Sequence, residues 1–184
     1  MFQGLCATLQ VVAEDDIFRG MPGAQGLTAQ SYKLSQISEI VESTKWADGL
    51  SAKEIETLSR YLHVCTAEAG SVIVQQGRRE AYLCLIVEGR VSIMKEGAGP
   101  AATQIGSVGP GRIFGEMSLI DGEPRSASVV ADEPTKLVVL TGEGFAHLSA
   151  EAPRLAVKVL LKISKLISQR LRQTSGALVD YLTS

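Results

Sequence analysis

The sequence predicts an α+β fold, in which a barrel or sandwich of short antiparallel strands sits between helical segments. Three observations predict it. Between residues 64 and 141, apolar or alternating runs cut by glycine recur roughly every ten residues, the rhythm of an antiparallel all-β core. On both sides of that region the apolar spacing changes to three and four, the rhythm of helices. The 184 residues, 45% of them hydrophobic, are enough for the core of one domain plus an extension.

In chain order, residues 1–27 mix apolar residues with "AEDD" and "GMPGAQG", the second being Gly/Pro punctuation of a loop or linker. Leu34, Ile37, Ile40 and Val41 predict a short amphipathic helix near 29–45. Ser51 and Glu54 have capping-box spacing ahead of Ile55, Leu58 and Leu62, so a second helix starts near 52. The strand candidates follow as "SVIVQQG", "AYLCLIVEG", "RVSIMKEG", "TQIGSVGPG", "SASVVAD" and "TKLVVLTG". "GEGFAHLSAEA" then reads as a short helix, and Pro153 suits the first position of a longer one running to about residue 182. Its apolar residues Leu160, Ile163, Ile167, Leu171, Thr174, Leu178 and Tyr181 follow a near-heptad spacing, which predicts a homodimer seam along the C-terminal half. Arg154, Lys158 and Lys162 share another face, followed by Lys165, Arg170 and Arg172, and read as a solvated row.

Composition narrows the function classes. A formal net charge of -2 provides no overall basic field for nucleic acid or anionic lipid, so any anion site must be local. Cys6, Cys65 and Cys84 are odd in number and widely spaced, which fits reduced thiols rather than disulfides or a metal cluster. The N-terminus lacks a basic leader and its apolar run is too short to cross a membrane, so the expectation is a soluble cytoplasmic protein without a membrane span. His63 and His147 lie far apart, and no Ser-His-Asp or Cys-His pattern appears, which argues against an enzyme.

The informative stretch is "FGEMSLIDGEPRSA", residues 114–127. Gly115 precedes a helical turn starting at Glu116, and helix N-termini present free N–H groups to an anion. The planar fork of Arg125 matches two phosphate oxygens, and Ser126 and Ala127 add donors. A carboxylate at Glu116 makes sense where a sugar hydroxyl lies next to that phosphate. The alternative is a Glu116–Arg125 salt bridge that merely closes the loop.

"FGEMSLIDGEPRSASVVA" resembles the phosphate-binding cassette of the cyclic nucleotide-binding domain family, and "AGSVIVQQG", "AYLCLIVEGRVSI" and "GPGRIFGE" resemble the family's strands and turns around it. The resemblance covers residues 46–182, so residues 46–184 are read as the domain, with a lid or dimerisation helix at 153–182, and residues 1–45 as an N-terminal extension. It implies an eight-stranded β-roll of the double-stranded β-helix or jelly-roll type, flanked by N-terminal helices and followed by hinge and lid helices. The implied ligand is a cyclic nucleotide, cAMP first and cGMP second, with no other cofactor and no metal. Cyclic di-GMP, or a scaffolding role without ligand, is the competing reading. Gly115 and Glu116, with Met117 beside them, would hold the ribose and nearby backbone; Arg125 would hold the cyclic phosphate, and Ser126 and Ala127 its oxygens. "RLRQTS" is similar to the helix segment in which bacterial cAMP-responsive activators place a Thr-Ser pair on adenine, which points to Thr174 and Ser175. Arg78 and Arg112 depart from the family, which often has an acidic residue there. Because no helix-turn-helix, kinase loop or transmembrane run accompanies the domain, the expectation is a stand-alone sensor without sequence-specific DNA binding, acting on an unidentified effector protein.

Overall fold

The strands alternate between two packing partners, and this sets the architecture. In β4 (Tyr82–Glu88), Leu83 and Leu85 face a layer of helices, while Tyr82, Cys84 and Ile86 face the interior of the roll. In β9 (Thr135–Thr141), Val138 and Leu140 point to the helices and Leu137 and Val139 inward. Both faces of these strands are covered, so their sequences read as continuous apolar runs rather than alternating ones.

The structure is a computed structural model and describes residues 24, 26–97, 99 and 101–183. The expectations for residues 1–23, Cys6 among them, lie outside the described residues. The remaining strands are β1 (Thr28–Gln30), β2 (Leu62–Ala67), β3 (Val72–Val74), β5 (Val91–Lys95), β6 (Thr103–Val108), β7 (Ile113–Phe114) and β8 (Ser128–Ala131). They form two antiparallel sheets, ordered β1-β2-β9-β4-β7 and β3-β8-β5-β6. The described residues thus make an α+β fold with nine strands where eight were expected. One strand not anticipated is β1, which pairs with β2 in the register Thr28↔Thr66. Three residues without an apolar run carry no periodic signal.

The helices are α1 (Leu34–Glu42), α2 (Ala52–Ser59), α3 (Glu116–Asp121), α4 (Gly142–Glu151) and α5 (Pro153–Thr183). The capping box forms as expected: the Glu54 amide donates to Ser51 Oγ, and the Ser51 amide donates to the Glu54 carboxylate. Ile37 and Val41 of α1, Ile55 and Leu58 of α2, Leu148 of α4, and Leu155, Val159 and Ile163 of α5 join one core against the five-stranded sheet. Residues assigned from sequence to the extension therefore contribute a strand and a helix to this body. The basic row of α5 is less solvated than its spacing suggested: Lys158 pairs with Glu54 at 2.6 Å, and Lys162 donates to the Asp48 carbonyl while lying 6.0 Å from the centre of the Trp46 ring. These contacts tie α5 to the helical layer.

Cys65 and Cys84 are free and buried, and burial pushes the Cys65 thiol up to about 12. No helix among the described residues is long and apolar enough to cross a membrane.

Candidate functional site

Between β7 and β8 the chain turns through Gly115, α3 and the loop to Arg125, and this turn walls a cavity of about 280 Å³, near the small end of ligand sites. Gly115, Glu116, Met117, Arg125, Ser126 and Ala127 all line it, as do Ser118, Phe114, Val74, Val129 and residues 105–108 of β6. The ionisable groups on its wall are Glu116, Arg125 and Arg170.

Arg125 is 4% exposed. Its Nη1 donates to the Gly115 carbonyl at 2.7 Å and to Ser118 Oγ at 2.6 Å, and its guanidinium carbon sits 4.2 Å from the centre of the Tyr82 ring. Tyr82 is fixed in turn, because its hydroxyl donates to the Ile73 carbonyl at 2.6 Å. The Arg125 backbone is pinned to the preceding turn: its amide donates to the Arg78 carbonyl and its carbonyl accepts from the Gly77 amide. The turn hydrogen bonding at Arg78 is therefore kept despite the unusual side chain. Two donors of the guanidinium, Nε and Nη2, are buried and meet no acceptor among the described residues. A charged donor held this way is costly unless an anion joins it.

Gly115 serves this arginine more directly than the sequence suggested. It has φ +76°, and a Cβ there would come within 2.8 Å of both Arg125 Nη1 and the Tyr82 carbonyl oxygen. The glycine clears space for the guanidinium rather than for an incoming anion. Since α3 has only six residues, the positive character of the site comes from Arg125 rather than from a helix dipole.

Glu116, 2% exposed, is not paired with Arg125, so the loop-closing salt bridge is absent. Its Oε1 accepts from Arg170 Nη1 at 2.5 Å, and Arg170 Nη2 donates to the Ile113 carbonyl, so one side chain of α5 spans the cassette and β7. Met117 is half exposed at the cavity edge, near Ser126 Oγ, and the exposed Lys95 donates to the Ser126 carbonyl. Thr174 and Ser175 do not line the cavity. They lie one turn beyond Arg170, where α5 has no buried residues, because its buried side chains end at Ile163. His63 is half-buried and His147 exposed, and no group of three or more potential metal ligands occurs among the described residues.

A profile of the cyclic nucleotide-binding domain family matches residues 64–152. The crystal structure of a cyclic nucleotide-binding domain from Methylobacillus flagellatus is 33% identical, superposes with a TM-score of 0.74, and is matched over 85% of this chain and 89% of that one. This chain belongs to the cyclic nucleotide-binding domain family. The domain is also similar to the cyclic AMP receptor protein of Thermus thermophilus, 33% identical over 125 residues, which are 68% of this chain and 56% of the receptor. A cyclic nucleotide-gated potassium channel of Mesorhizobium japonicum is 39% identical over 97 residues, 53% of this chain and 25% of the channel. The chain thus spans about half of the receptor and a quarter of the channel.

Three residues that build this candidate site were not singled out as site residues from sequence: Tyr82, Ser118 and Arg170. Arg170 is 54 residues from Glu116 and Tyr82 is 43 from Arg125, and no local pattern links such partners.

Proposed function

We propose that the domain is a non-catalytic cyclic nucleotide sensor, with cAMP the first ligand and cGMP the second, working in the cytoplasm on a separate effector protein. One observation carries this reading: a buried arginine beside a ligand-sized cavity, with two donors unmet. A ring-closed phosphate accepts from Arg125 Nε and Nη2, with Ser126 and Ala127 alongside, and its adjoining ribose hydroxyl donates to Glu116, while Gly115 and Met117 shape that edge. The name of the Thermus relative favours cAMP. A single arginine suits one phosphodiester better than the two of cyclic di-GMP.

Signal transmission runs through α5. Ribose binding at Glu116 acts on the carboxylate that holds Arg170, so ligand and helix position are linked. The base contacts assigned to Thr174 and Ser175 require α5 to fold over the cavity mouth, which makes that movement the output. The exposed Leu171, Leu178, Val179 and Leu182 of the same segment supply a surface for a homodimer.

The test is calorimetry with cAMP, cGMP and cyclic di-GMP on the wild type and on Arg125→Ala. Wild type binds cAMP, and the variant loses about 2 to 5 kcal/mol of binding free energy. Equal affinity in the two proteins removes Arg125 from the site.

A further inference from the structure

We infer that Arg170 sets how sharply the site discriminates by ligand charge: by pairing with Glu116 it cancels the carboxylate and leaves the cavity wall with one uncompensated positive charge, so that its loss penalises a phosphomonoester dianion more than a phosphodiester monoanion. The inference rests on the cyclic nucleotide reading of the same site.

The cavity wall carries two guanidiniums against one carboxylate. Arg170 commits both ends of its fork within the protein, Nη1 to Glu116 and Nη2 to the Ile113 carbonyl, and so cancels the carboxylate rather than facing the ligand. The charge left over belongs to Arg125, whose free donors are buried. Lys95, bonded to the Ser126 carbonyl, is exposed, so solvent and salt screen it. A ligand with one negative charge therefore closes the balance in this poorly solvated wall. A ligand with two leaves a negative charge beside the buried Glu116 carboxylate, which is costly.

A cyclic phosphate carries one charge, whereas a linear phosphomonoester, with its second ionisation near pH 6, carries about two at pH 8. The two nucleotides share the base and the ribose 2′-hydroxyl and differ in the phosphate and in the 3′-hydroxyl that ring opening frees, so the change of their affinity ratio between pH 8 and pH 5 isolates the phosphate charge. Coulomb energy follows the product of charges, so a change of one unit on the wall acts about twice as strongly, in free energy, on the dianion.

The experiment measures cAMP and 5′-AMP binding by calorimetry on the full chain at pH 8, for wild type, Arg170→Lys, Arg170→Gln and Glu116→Gln. Arg170→Gln removes a positive charge. A variant that weakens cAMP about tenfold weakens 5′-AMP about a hundredfold, so preference for the cyclic ligand rises. Arg170→Lys keeps the wild-type ratio. Glu116→Gln shifts the ratio the other way, towards 5′-AMP, a reversal that mere loss of structure does not produce. At pH 5, where 5′-AMP is mostly a monoanion, the ratio change in Arg170→Gln shrinks. Equal losses for both ligands in Arg170→Gln, or an unchanged ratio in Glu116→Gln, overturn the inference while leaving the sensor reading intact. Wild-type protein that binds neither nucleotide removes that reading, and this one with it.

Discussion

The two halves of α5 are one continuous helix with opposite surroundings. Its first half buries Leu155, Ala156, Val159 and Ile163 against the sheet and helices and is tied down by Lys158 and Lys162. Its second half, from Leu171 on, exposes Leu178 at 56% and Tyr181 at 80%. Arg170 stands at the join, with its side chain 36% exposed. A helix packed at one end and exposed, among the described residues, at the other can be repositioned by a contact at the boundary without unfolding its base, and Arg170 makes that contact with the cassette.

Substitutions along α5 test this contrast. The largest effect on stability belongs to Ile163→Ala, which empties a fully buried position and costs about 2 to 5 kcal/mol in chemical denaturation. A loss below about 1 kcal/mol breaks the claim that the first half is anchored by packing. A smaller, pH-dependent effect comes from Glu54. The hydrogen bond from the Lys158 ammonium, and then the one from the Ser51 amide, hold its carboxyl at about 2 against an ordinary 4.5. The folded-state value is depressed, so the unfolded chain takes up the proton first as pH falls. This contribution is present above pH 4.5 and is lost as pH drops towards 2. Denaturation of Lys158→Ala over that window shows a shallower loss than wild type, and identical slopes remove the pair as an anchor. The smallest effect is that of Leu178→Ser, within about 0.5 kcal/mol at low protein concentration. If the exposed half pairs with a second copy, this variant melts earlier than wild type only at high concentration.

Local signals were legible wherever the determinants are close in sequence. Ser51 and Glu54 announce α2 three residues apart, Pro153 announces α5, and the glycine-cut apolar runs announce the strands. The cavity-lining stretch at 115–118 and 125–127 was legible because its residues are neighbours along the chain. Contacts that depend on closure of the fold were not. The apolar stripe of α5 includes Ile163 and Ile167, which do pack into the core, but it omits Leu155, Ala156 and Val159, because packing against the helices and the sheet chooses the buried face. The Arg170–Glu116 pair had no sequence signal, since a row of basic residues on a helix does not say which of them meets a buried acid.

Trp46 is the only tryptophan in the sequence, and it sits half-buried below Lys162 of the anchored half. The domain therefore carries an intrinsic optical gauge: indole emission will register any tilt of that helical base. It should stay silent when only the distal turns swing.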